Sequence, residues 1–153
     1  MHIPAKVDYA MRALLELAQR NQPATAEDLA TAQKLPSKFL AAILNDLRRA
    51  GIITSRRGLE GGYRLSRPAD QISVADVMRA IDGPFAEVHG LRPEMTEYEG
   101  AAAHLQDVWI ATRASLRSVL EPVTLDHIST GRLPEAAAKF LDDPSAWLPR
   151  ARN

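Results

Sequence analysis

Residues 51–68, GIITSRRGLEGGYRLSRP, set two short β-prone runs on either side of a glycine-rich turn. Ile52-Ile53-Thr54 and Tyr63-Arg64-Leu65 are the runs, and the three glycines between Ser55 and Gly62 permit the positive φ angles that a hairpin tip requires. Arg56, Arg57, Arg64 and Arg67 lie on or beside this hairpin, with Arg48 and Arg49 just upstream. So many guanidiniums around one turn match a phosphate backbone. Their charges displace condensed counterions, and an arginine at a hairpin tip can also enter a narrow minor groove. The bland reading is a solvated charged hairpin on a module that binds protein.

The segment upstream favours the first reading. Val7, Ala10, Met11, Leu14, Leu15 and Ala18 recur at three and four, which predicts an amphipathic helix over 6–20 ended by Asn21-Gln22-Pro23. Thr25-Ala26-Glu27-Asp28 is a capping box for a short helix through about Thr31. Leu35-Pro36 interrupts it, since the residue before a proline is pushed out of the α region. Ser37 is then placed to cap a third helix, KFLAAILNDLRRA, with Phe39, Leu40, Ile43, Leu44 and Leu47 on one apolar stripe and Gly51 at its end. Lys38, Ala41, Ala42, Asn45 and Arg49 face outward. Helix, short helix, tight turn and helix form a helix-turn-helix whose last helix suits the major groove, and the hairpin after it is a wing.

Charge is divided along the chain in the same sense. The net charge is zero, yet residues 1–68 hold 11 Lys+Arg against 6 Asp+Glu, and residues 69–153 hold 8 against 13. A chain of 153 residues with 46% hydrophobic and 25% charged content fits one globular domain, or a small domain with an appendage. No apolar run reaches membrane-spanning length and MHIPAKVDYAMR lacks the order of a signal peptide, so a cytoplasmic location is expected. The absence of cysteine excludes disulfides, thiol catalysis and cysteine-held metal or iron-sulfur sites. No phosphate-binding loop, nucleophile elbow or hydrolase motif points to an enzyme.

Beyond the hairpin, Ser73-Val74-Ala75-Asp76 opens another capped helix that ends at Gly83-Pro84. Residues 85–100, FAEVHGLRPEMTEYEG, show no sustained period. Over 101–121, Leu105, Trp109, Thr112, Leu116 and Val119 repeat at four, three, four and three, the seam of a helix that packs on another helix, within its own subunit or from a second copy. Residues 122–153 comprise a short helix led by Thr124, one more around Ala136–Leu141, and the tail DDPSAWLPRARN, expected to be partly mobile. Trp147 and Leu148 are expected to dock on the body.

YAMRALLELA, EDLA, LPSKFLAAILNDLRRAGIITSRRGLEGGYRLSRP and ISVADVMRAIDG together resemble the IscR, NsrR and CymR group of bacterial winged helix-turn-helix regulators, the Rrf2 family. The resemblance is close over residues 1–84, and VWIATRASLRSVLEPVTLDHI is similar to the family's long dimerisation helix. It implies a mainly α fold with a β-hairpin wing, and a homodimeric repressor that binds double-stranded DNA at a roughly palindromic operator. The organisation it implies is a DNA-binding domain at 1–84, an effector segment at 85–100, a dimerisation helix at 101–121 and short helices with a tail at 122–153. A winged-helix module that binds protein without an operator is the alternative.

Carried over by position, Pro36, Ser37, Lys38, Ala41 and Ala42 fall where the family's reading helix meets the major groove, and Arg57, Gly58 and Leu59 at the wing tip. Leu59 and Glu60 stand where a proline and a glycine are common. Ala41 and Ala42 offer only methyl contacts, which leaves base-edge hydrogen bonds to Ser37, Lys38 or Asn45. Asp8 occupies a position where some members donate a cluster ligand, but one carboxylate cannot hold iron and sulfur. No cofactor is therefore expected. His89, Glu94, Glu97 and His104 match no metal-ligand spacing. A small-molecule effector would find Phe85, Tyr98 and Trp109 as walls and His89, Arg92 and Glu97 as polar contacts, unless these aromatics only fill a hinge.

Overall fold

The computed structural model describes residues 2–149; residues 150–153 of the tail, for which mobility is expected, lie outside the described residues. Three helices come first, α1 (Ala5–Ala18), α2 (Ala26–Gln33) and α3 (Ser37–Arg49), followed by a hairpin of β1 (Ile53–Arg56) and β2 (Gly62–Leu65) and by α4 (Val74–Asp82). A segment with little regular structure leads to α5 (Leu105–Leu120), α6 (Leu125–Thr130) and α7 (Glu135–Leu141). No helix among the described residues is long and apolar enough to cross a membrane.

Capping fixes where several helices start. Thr25 accepts a hydrogen bond from the Asp28 amide at 3.1 Å while the Asp28 carboxylate accepts from the Thr25 amide at 2.8 Å. Ser73 with Asp76, and Thr124 with His127, repeat this reciprocal pattern at α4 and α6. At α3 the expected cap is corrected: Pro36 holds the N-cap position, its carbonyl accepts from the Phe39 and Leu40 amides, and Ser37 is already helical. The fixed φ of proline preorganises that start without a side-chain bond.

The main core joins α1, α2, α3 and the hairpin. Leu14, Leu29, Leu40, Ile43, Leu44, Leu47, Ile53 and Ile72 are fully buried there, and each large side chain contributes about 1.5–3 kcal/mol. Leu125 of α6 lies in the same core, and its amide donates to the Ile72 carbonyl at 3.0 Å. Thus a residue far along the chain completes the winged-helix body. A second cluster, Val7, Ala75, Met78 and Phe85, receives Leu116 and Leu120 of α5 along its edge.

Phe39 departs from the expected stripe, being 59% exposed. It lies about 90° around α3 from the mean direction of Leu40, Ile43, Leu44 and Leu47, at the rim of the outward face. Trp147 and Leu148 are a second correction: both are 69% exposed rather than docked on the body, and the indole donates to the Leu141 carbonyl at 3.0 Å. Among the described residues they pack beside the short α7, which is too small to cover them.

The hairpin pairs Ile53 with Leu65, Thr54 with Arg64, Ser55 with Tyr63 and Arg56 with Gly62. The start of β2, just after the turn, is tied to the body by two hydrogen bonds between Ala24 and Tyr63, at 3.1 and 2.8 Å. This close approach requires glycine at 62: φ is +135°, and a Cβ there would stand 2.8 Å from the Ala24 carbonyl oxygen.

Candidate nucleic-acid interface

α3 buries Leu40, Ile43, Leu44 and Leu47, so the opposite face is left to solvent by helical geometry. Pro36, Ser37, Lys38, Phe39, Ala41, Ala42, Asn45 and Arg49 are all exposed on it. Arg48 donates to the Asn45 side-chain oxygen at 2.9 Å and Arg49 pairs with Asp46, which orients both polar groups without burying them. Phe39 adds an aromatic ring beside Lys38, a surface suited to a thymine methyl or a sugar edge that the apolar-stripe assignment concealed. The signal available in the sequence was its flanking angle on the helical wheel.

The wing projects from the end of α3. Arg56, Arg57, Gly58, Leu59, Glu60 and Arg64 are exposed, and Leu59 at the tip is fully so. Arg56, Arg57 and Arg64 form no side-chain hydrogen bond or ion pair among the described residues. Unspent guanidiniums on a protruding hairpin retain their whole donor sets for an external acceptor. Arg67 differs. It donates to the Gln71 carbonyl at 2.9 Å and pairs with Asp76 at 3.3 Å, tying the hairpin's exit to the N-terminus of α4. Of the arginines around the turn, Arg67 is thus the structural one.

The helix α5 contains no fully buried residue over its length. Leu105, Trp109, Leu116 and Val119 are half-buried, Thr112 is exposed, and Val108 is 52% exposed. A trough of about 540 Å³ between α5 and α7 is lined by Leu116, Val119, Leu120, Leu133, Phe140 and Leu141. A second, of about 490 Å³, places His89 against Trp109, Thr112 and Leu116.

The six residues expected to meet at an effector site are divided among several places. Phe85 is buried against Val7, Ala75 and Met78, and its rim joins Arg92 in a cavity of about 410 Å³. His89 lines the α5 trough instead. The Trp109 indole donates to the Tyr98 hydroxyl at 3.2 Å, and Glu97 is exposed. Beside the arginine-lined cavity, hydrogen bonds from Arg79 and then Arg117 hold the Glu121 carboxyl below its ordinary range. Glu94 is lowered by its own backbone amide and then by Arg113.

Metal-ligand chemistry is poorly provided for. No three His, Asp or Glu side chains converge among the described residues, and the chain has no cysteine. Asp8 is 58% exposed and faces Arg12 at 3.6 Å, while His104 pairs with Asp107 at 3.5 Å on the surface of the helix start. An iron-sulfur group therefore does not fit these residues.

Comparison with known proteins points the same way as the helix-turn-helix and wing. Residues 3–131 match the Rrf2 family model, described as an iron-dependent transcriptional regulator. A candidate HTH-type transcriptional regulator of Mycobacterium tuberculosis is 46% identical over 145 residues, covering 94% of this chain and 90% of that protein. Among solved structures, CymR of B. subtilis, the global cysteine regulator, superposes with a TM-score of 0.71 at 29% identity, over 86% of this chain and 98% of that one. IscR of T. potens gives 0.69 at 26% identity, over 86% and 88%.

Proposed function

The chain belongs to the Rrf2 family of DNA-binding transcriptional regulators, and from that premise we propose that it reads an operator as a homodimer, with α3 in the major groove and the wing against the flanking backbone or minor groove. The three unpartnered wing arginines beside the solvent-facing side of α3 carry this reading. Lys38, Ser37 and Asn45 supply base-edge hydrogen bonds, Ala41, Ala42 and Phe39 supply apolar contacts, and Arg56, Arg57 and Arg64 meet phosphate or enter the minor groove around Gly58 and Leu59. Pro36 sets the angle at which the helix enters. Glu60 carries a carboxylate that repels phosphate, so it either faces away from the DNA strand or weakens insertion of the tip. The module-only alternative is not favoured by the relatives, which are named as regulators.

The second copy is expected on α5. Leu105, Trp109, Thr112, Leu116 and Val119, with Phe140 and Leu141 of α7, form a mainly apolar face that the single chain leaves uncovered. Covering that face with an identical one yields two reading heads related by a two-fold axis. α6, packed in the main core, moves with the reading head.

Activity of this kind is strongly electrostatic. With Arg56, Arg57 and Arg64 contributed twice, about six phosphate contacts are made, and affinity for duplex DNA falls about a thousandfold between 50 and 200 mM salt. Fluorescence anisotropy of a labelled duplex across that range checks it. Affinity indifferent to salt would exclude the proposed wing contacts.

A further inference from the structure

The cavity at the junction of α4, α5 and the segment between them has a composition that operator binding does not use. Arg79 of α4, Arg92 of the connecting segment, and Arg113 and Arg117 of α5 all line it, with Phe85 and Glu94 completing the wall. Arg79 Nη2 and Arg117 Nε donate to the same oxygen, Glu121 Oε1, the latter at 2.8 Å. Arg113 Nη1 donates to Glu94. Arg92 has no side-chain hydrogen bond or ion pair among the described residues. Four guanidiniums therefore face two carboxylates, and most of their N–H donors remain unspent. The Arg79 guanidinium lies 5.0 Å from the centroid of the Phe85 ring, which holds it at the cavity wall.

An ion-pair network that served only to fasten α4 to α5 would balance its charges. This one is left with two positive charges in a hollow of about 410 Å³, a volume suited to a small metabolite. We propose that the cavity is a binding site for a small organic anion carrying two negative charges, as carboxylates or a phosphate, held by Arg79, Arg92, Arg113 and Arg117. Planar guanidiniums present paired donors that match either acid group, and the two positive charges in excess set the charge of the ligand. The site joins the reading head, through Arg79, to the helix expected to carry the dimer, through Arg113 and Arg117. An anion spanning the two favours one setting of the heads to the extent that it binds that setting more tightly. Only this last consequence rests on the operator reading; occupancy of the cavity does not.

The test is calorimetric titration of the full chain, without DNA, with succinate, malate, inorganic phosphate and glycerol 3-phosphate, and with glucose as an uncharged control. At least one anion is expected to bind with a Kd on the order of a millimolar or below, and glucose not at all. Arg92→Gln and Arg117→Gln are each expected to weaken that binding about tenfold or more, with the far-ultraviolet circular dichroism and thermal midpoint of Arg92→Gln unchanged. Preference for succinate or malate would assign a dicarboxylate, and preference for the phosphates a phosphorylated ligand. No heat from any anion, or binding unaltered in both variants, would overturn the site. For the consequence on DNA, the anion that binds is expected to change operator affinity about fivefold or more; an unchanged affinity at saturation would remove the regulatory role.

Discussion

Replacing Arg56, Arg57 and Arg64 together by alanine is expected to reduce operator affinity by about three orders of magnitude or more while leaving the fold intact. None of the three has an intramolecular partner among the described residues, and all are exposed. Their removal therefore leaves nothing unsatisfied, and unfolding free energy should stay within about 0.5 kcal/mol of the parent. Each contributes about 1–3 kcal/mol if it reaches a groove, and less, more evenly across sequences, if it meets only phosphate. In a dimer every lost contact is lost twice. The salt dependence of affinity should flatten along with the affinity itself, because counterion release scales with the phosphates neutralised. Arg67→Ala is the contrasting variant. It cuts the ties to Asp76 and Gln71, so it lowers stability modestly and leaves the salt dependence nearly unchanged. Anisotropy titrations with both variants, paired with urea unfolding, separate the two roles.

Val119→Asp is expected to abolish dimerisation and operator binding together. Val119 lines the trough between α5 and α7, whereas Leu116 also packs against the second core, so a charge at 119 tests the interface with less risk to the subunit's own packing. An aspartate buried by a partner without a counter-charge costs several kcal/mol, enough to shift a micromolar dimer to monomer at working concentrations. Binding then falls because a single head loses the contribution of the second half-site. Sedimentation velocity checks the assembly state. A variant that remains dimeric would move the interface off this face of α5.

Several parts of this architecture were readable from residues because their causes are local. Thr25/Asp28 and Ser73/Asp76 are reciprocal caps within four residues, and Gly58, Gly61 and Gly62 mark a turn whose backbone needs them. The reading helix was legible through its period. Phe39 was not, since a residue at the stripe's rim is assigned by angle, and a ring beside a solvent-facing lysine looks the same in sequence as a ring at the core's edge. Leu125 in the winged-helix core depends on a contact with Ile72 across some fifty residues of chain, for which no local pattern exists. The arginine cavity was hidden for the same reason: Arg79, Arg92, Arg113 and Arg117 are scattered in sequence and meet only because α4, the connecting segment and α5 pack together. Aromatic content drew attention to Phe85, Tyr98 and Trp109 instead, and the fold spends Phe85 on the second core and pairs Tyr98 with Trp109.

Hydroxyl-radical footprinting of the parent protein on a duplex selected from a random-sequence pool reads the geometry of recognition directly. The expected result is a single site with dyad-symmetric protection, two half-sites separated by whole turns of the helix, and flanking protection that disappears with the Arg56, Arg57 and Arg64 triple replacement. Selection that yields no preferred sequence, or one unsymmetrical patch of protection unaffected by the wing variant, would contradict a homodimer reading DNA through α3 and the wing.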